Sequence, residues 1–245
     1  MKLPTVEEML SAGMHFGHRT SKWHPKMKPY VFGARKGVHI IDLVKTKEHL
    51  ALALNYVSDL YAGGKVVLFV GTKPQVKGLM KKTCHELRVP YVAEHWLGGM
   101  MTNFAIIKKS IRKYKDLVEK REAGKLTKYT KKEQLQFSRQ IAKLDLAVGG
   151  LVDLSKLPDA IFIWDVKVEK TALAEAKKKN IPIIAVCDSN VNPEGIDYVI
   201  PSNDDASKAI ALVMNLFKDA VTEGRERAVK AEVKTQKTDP INKAK

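Results

Sequence analysis

Long apolar runs are missing from this chain. No stretch approaches the roughly 20 consecutive apolar residues that a bilayer-crossing helix needs, so no membrane span is expected. Cysteine is scarce. Cys84 and Cys187 stand far apart and form no CxxC pair, which excludes a disulfide framework and suits a reducing compartment. The opening MKLPTVEEML carries acids and has no apolar core, so no secretory signal is expected and a cytoplasmic location is. Catalytic signatures are missing as well. No G-x-G-x-x-G follows a predicted strand, and Gly71-Thr72-Lys73-Pro74 has the wrong glycine spacing for a Walker A loop. Nothing has the form of a nucleophile elbow or a Ser–His–Asp set. Negative charge is absent from Met9 to Ile41.

What is present is positive charge, placed unevenly. The chain of 245 residues carries a formal net charge of +16. Residues 108–143 alone hold 13 Lys/Arg against four Asp/Glu, a net of +9. Residues 1–49 carry +5, whereas 144–223 carry −5. That partition points to a polyanion at some surfaces and to a different neighbour at others. The acidic stretch, with Asp153, Asp159 and Asp165, is read as facing another protein.

The most cationic stretch has helical spacing. Phe104, Ile107, Ile111, Tyr114 and Val118 recur at three and four residues, as do Phe137, Ile141, Leu144 and Val148. These narrow seams predict two helices, with Gly124 as a stop and Thr130–Glu133 as a capping box. The expectation is an antiparallel coiled-coil hairpin over 104–149. Its cations repel one another unless an anion lies against them. Lys108, Lys109, Arg112, Lys113, Lys115, Lys120, Lys128, Lys132, Arg139 and Lys143 are the candidate RNA contacts here.

The second cationic stretch runs from residue 14 to residue 37. Four aromatic residues, Phe16, Trp23, Tyr30 and Phe32, alternate there with cations. Pro25, Pro29, Gly33 and Gly37 predict an irregular, extended course. Arg19, Lys22, Trp23, Lys26, Lys28, Arg35 and Lys36 are the candidate contacts, chiefly to phosphate and sugar. His15 and His18, with His24 and His95 elsewhere, raise the question of zinc, but a metal site needs three or four ligands with a second shell and neither cysteine is placed to help, so no metal and no other cofactor is expected.

The remainder alternates strand and helix. Val38–Ile41, Lys65–Val70, Tyr91–Ala93, Ala160–Trp164, Pro182–Cys187 and Tyr198–Ile200 read as strands, the longer ones continuously apolar, with helices over 45–62, 74–88, 168–179 and 204–222. This predicts a mostly parallel sheet covered on both faces. The organisation expected is an α/β domain over 1–103 and 150–223, the hairpin over 104–149, and a basic tail over 224–245 without stable structure. The domain's first 37 residues hold a short helix and the basic segment. Thr72, Lys73, Asp165 and Asp188 fall at C-terminal ends of strands. They leave open an alternative, a doubly wound sugar-phosphate or nucleotide-binding enzyme.

Five blocks, in order, carry a resemblance. They are AGMHFGHRTSKWHPKMKPYVFGARKGVHIIDL (12–43), VVLFVGTK (66–73), HWLGGMMTNF (95–104), GGLVDLSKLPDAIFIWD (149–165) and NIPIIAVCDSNVNPEGIDYVIPSNDDASKAI (180–210). The chain resembles the bacterial small-subunit ribosomal protein two family over most of 5–223. The resemblance implies a three-layer, flavodoxin-like (Rossmann-like) α/β domain with an inserted helical hairpin. It implies a structural constituent of the small ribosomal subunit that binds small-subunit ribosomal RNA, partly through the hairpin. It further implies neighbouring ribosomal proteins as partners, among them the large messenger-binding one. It implies no catalytic residue and no small-molecule substrate, and nothing in the chain points to a membrane partner.

Overall fold

The computed structural model describes residues 2–238. Helix α1 (Val6–Ser11) opens on a capping box in which Thr5 and Glu8 satisfy each other's backbone N–H groups. Three strands follow: β1 (Phe16–Arg19), β2 (Val31–Arg35) and β3 (Val38–Ile41). They form an antiparallel sheet in the order β1-β3-β2. Two 3-10 turns, Thr20–Lys22 and Pro25–Tyr30, lie between β1 and β2. The segment expected to be irregular is therefore largely folded. The signal in the sequence was Lys36-Gly37. Both residues have positive φ, 50° and 76°, and Arg35 pairs with Val38 across them. This is the two-residue turn whose backbone twist matches that of flanking strands.

Helix α2 (Leu43–Ala62) is capped by Asp42 and ends at Gly63. Then come β4 (Val67–Val70), α3 (Pro74–Leu87) with Pro74 in its first turn, and β5 (Tyr91–Val92). Helices α4 (Phe104–Glu122) and α5 (Lys131–Val148) are followed by β6 (Ala160–Trp164), α6 (Lys170–Lys178), β7 (Ile183–Cys187), β8 (Tyr198–Pro201) and α7 (Ser207–Thr238). The second sheet has the order β5-β4-β6-β7-β8. Counted along its own strands this is 2-1-3-4-5, the order of flavodoxin-like sheets. Every residue of β4, β6 and β7 is buried, as continuous apolar strands require.

The chain clusters into two compact units. One runs up to Val67 and resumes at Ile184; the other is Leu68–Ile183. In the first, α7 packs along α2. Its course corrects two expectations. It starts at Ser207, after Asp204 and Asp205, so those acids do not sit in its first turn. Nor does it stop at Gly224; it continues to Thr238. A Cβ at Gly224 would lie 2.4 Å from the Ser58 carbonyl oxygen and 2.8 Å from Tyr61 Cβ. Glycine there lets the two helices approach, which its helix-ending reputation conceals. Beyond the crossing, Arg227 reaches Asp59 at 2.7 Å and Ser58 at 3.2 Å. Arg225 lies 5.3 Å from the Tyr61 ring centre. The part of the expected tail over 239–245 lies outside the described residues.

In the second unit α4 and α5 pack against each other across a link over 123–130. Thr130 and Glu133 form the predicted capping box. The α5 seam is as spaced in the sequence: Ile141 and Val148 are buried, Phe137 and Leu144 half-buried. On α4 the buried residues are Ile107, Ile111 and Leu117. Val118 is half-buried instead of the expected seam residue, because a helix of 3.6 residues per turn drifts off a strict 3.5 repeat.

Candidate nucleic-acid interface

The antiparallel sheet sets the spacing of two arginines. Arg19 on β1 and Arg35 on β2 both pair with Val38 on the strand between them. Residues directly opposite in a ladder share a face, and each strand step is about 4.8 Å. The guanidinium stems therefore leave one face roughly 10 Å apart. Lys36, in the adjoining turn, is exposed as they are. Lys22 and Lys28 are exposed in the 3-10 turns. Lys26 is exposed but makes an ion pair with Glu194, which offsets its charge. Trp23 is half-buried, with its ring 5.3 Å from that of His39, so it packs on the sheet. The open rings are Phe16 and Phe32, 50% and 80% exposed.

On the hairpin, Lys109, Arg112, Lys113, Lys115, Lys128, Lys132, Arg139 and Lys143 are exposed. Lys120 is exposed too but pairs with Asp116 at 2.7 Å, one helical turn away. Lys108 is half-buried, with its ammonium 5.6 Å from the Phe104 ring centre. Lys128 lies the same distance from Tyr129. Tyr114 donates to Asp145 at 2.6 Å across the two helices. Burial and that carboxylate together push the phenol's pKa up to about 12.

The root of the hairpin is organised by a residue that composition and spacing do not single out. Glu175, on α6, is buried. Its Oε1 accepts from the Trp96 indole at 3.1 Å and the Gly99 amide at 2.7 Å. Its Oε2 accepts from the Met101 and Thr102 amides, each at 2.9 Å, and from the Thr102 hydroxyl at 3.0 Å. Burial alone would raise this carboxyl's pKa; the amides of Thr102, Met101 and Gly99 and the indole hold it below the usual value. One carboxylate thus fixes 96–102, the run that leads into α4.

Three of the residues considered for an enzyme, Thr72, Lys73 and Asp165, are engaged by the chain's own side chains. Lys73 Nζ lies 3.2 Å from Asp165 Oδ2, both largely buried. Asp165 has a left-handed backbone, φ 64°, and its Oδ1 accepts from the Lys167 amide at 2.9 Å. It is therefore not open to a protein neighbour, as the reading of the acidic stretch supposed. The Thr72 amide and hydroxyl donate to Glu169 Oε1 at 2.9 and 2.6 Å. Burial pushes Glu169's pKa up against those bonds. Gly71 is explained by packing: a Cβ there would lie 2.8 Å from Met80 and 3.2 Å from Trp164. In flavodoxin-like sheets the ligand crevice opens beside the first strand, where the order reverses. Here that place, after β4 and β6, is taken by the chain's own side chains.

A family model described as Ribosomal protein S2 matches residues 9–224. The chain belongs to that family. The match takes in both cationic surfaces and all of the second sheet. It ends at the residue where α7 crosses α2. What lies beyond, including Arg225 and Arg227, is outside the S2 match.

One further cluster in this S2-family chain escaped the sequence reading. His18 Nδ1 lies 3.1 Å from Asp188 Oδ2, and the His18 amide donates to Ser189 Oγ at 2.8 Å. Asp188 and Asp204 are buried. The imidazole's pKa is raised, first by its bond to Asp188, against desolvation, and further by Asp204 and Asp205. One atom each from His18, Asp188 and Asp204 lies within 4.8 Å of the others, so these three could hold a metal ion. The sequence offers histidines near one another as ligands, whereas the partners of His18 are carboxylates distant in sequence. Asp188, one of the enzyme candidates, belongs to this cluster.

Proposed function

We propose that the chain is a non-enzymatic constituent of the small ribosomal subunit, in the cytoplasm, that holds small-subunit ribosomal RNA by its hairpin and its N-terminal sheet. Membership of the S2 family supports this reading. So does the one observation that carries it: the hairpin displays cations, among them Lys109, Arg112, Lys113, Arg139 and Lys143, that make no ion pair among the described residues. Such charges are costly to concentrate unless phosphate neutralises them. We read the hairpin as a short coiled-coil arm inserted in a three-layer domain. Contacts go chiefly to phosphate and ribose, which positions RNA by shape. The exposed acids of residues 156–223 face neighbouring ribosomal proteins and help dock the large messenger-binding one.

The test is charge reversal at Lys109, Lys113, Arg139 and Lys143 together. In extracts separated on a density gradient, the unaltered chain should travel with small subunits and the variant should lag in the soluble fractions. A variant that stays with the particles at moderate salt would remove the hairpin from the interface.

A further inference from the structure

At the root of the hairpin the structure holds a groove of about 380 Å³. Lys108, Arg112 and Lys115 of α4 line one side of it. Residues 152–155, just after α5, line the other. Its floor is apolar: Ile111 and Leu154 are buried and Val152 half-buried. Asp153 and Ser155 complete it, both exposed. None of the three cations has an ion-pair partner among the described residues. The other large hollow beside the hairpin, lined by Tyr91, Tyr114 and Asp145, differs. There the acid already takes the tyrosine's proton donor.

We infer that this groove receives one unpaired nucleotide of the RNA. The reading rests on the function proposed above and narrows it from a charged surface to a place. Three cations on one rim suit a phosphate. An apolar floor beside a charged rim suits the face of a base, which carries no charge and packs against apolar side chains. The volume falls in the range of small-ligand pockets, about 300–1,000 Å³. Asp153 decides between kinds of anion. The exposed Asp153 carboxylate can only accept, so a donor on the occupant would fit it, and Ser155 can give or accept. A ribose 2′-hydroxyl or a base amino group supplies that donor. A run of acidic side chains from a protein supplies only more negative charge.

The experiment fills the groove without changing its charge. Val152→Met and, separately, Ser155→Leu are made in the full chain, and each is checked for an unaltered thermal melt. Binding to a full-length small-subunit ribosomal RNA transcript is measured by filter retention across a potassium chloride series. Both variants should bind about tenfold more weakly, the loss of one apolar packing contact and one hydrogen bond. The slope of affinity against salt should stay that of the unaltered chain, since no cation is lost. Unchanged affinity in both folded variants would overturn the groove. The general RNA reading would still stand if Lys109→Glu with Lys113→Glu weakened binding. If the unaltered chain showed no salt-dependent affinity for the transcript, that reading itself would fall. Polyglutamate, tested in parallel, should compete only through general charge and equally in all variants. Competition lost specifically on filling the groove would mark a protein occupant and overturn the assignment.

Discussion

At the scale of single residues, buried acids fix the geometry and exposed bases face outward. Glu175 accepts five hydrogen bonds from 96–102. Replacing it with Gln turns one acceptor atom into a donor facing N–H groups. An unsatisfied buried polar group costs about 1–3 kcal/mol, so Glu175→Gln should lower the urea midpoint with little change in slope. The acid limb should change as well. Glu175's folded pKa lies below its ordinary value of 4.5. Its contribution is therefore complete above that value and is lost as pH falls through the depressed one. The Gln variant should lack that part of the acid-side decline, which a pH series of denaturation curves would show. A parallel acid limb in both proteins would count against the hydrogen-bond account.

At the scale of elements, local chemistry was readable and long-range approach was not. Both capping boxes, the Gly63–Gly64 stop, Pro74 at the start of α3 and the apolar strands β4, β6 and β7 follow from short patterns, and each is present. Of the three-stranded sheet only β3 follows from a short apolar run; β1 and β2 lie among prolines and glycines, with the Lys36-Gly37 turn as their local signal. The end of α7 was missed because Gly224 serves a neighbour distant in sequence. That gives a sharp expectation: Gly224→Ala sets a methyl 2.4 Å from a backbone oxygen that cannot swing aside. Overpacking of this kind costs about 1–3 kcal/mol, although alanine favours helix by about 1 kcal/mol over glycine. The midpoint of thermal unfolding should fall, and a rise would mean that α7 does not depend on the approach. The same limit applied to the candidate sites. Basic and aromatic content located both cationic surfaces, but which cations are already spoken for, as with Lys26 and Lys120, needs coordinates.

At the scale of the whole molecule, charge of +16 is carried mainly where phosphate is expected. Affinity for the RNA transcript should fall linearly on logarithmic axes as salt rises, by about 0.7–0.9 per neutralised phosphate. Removing the hairpin's exposed cations should flatten that line far more than removing Lys26 or Lys120. Equal flattening would show that internal ion pairs open on binding. Arg19 and Arg35 carry a different kind of constraint. They owe their common direction to the pairing of three strands across Val38, and strand neighbours alternate sides. Exchanging either for lysine keeps the direction of its charge. Adding one amino acid between Ala34 and Arg35 would leave the charge count untouched yet send Val31–Ala34 to the opposite side, because the Lys36-Gly37 turn keeps Arg35 against Val38. Over generations this stretch should accept spelling changes more readily than changes of length.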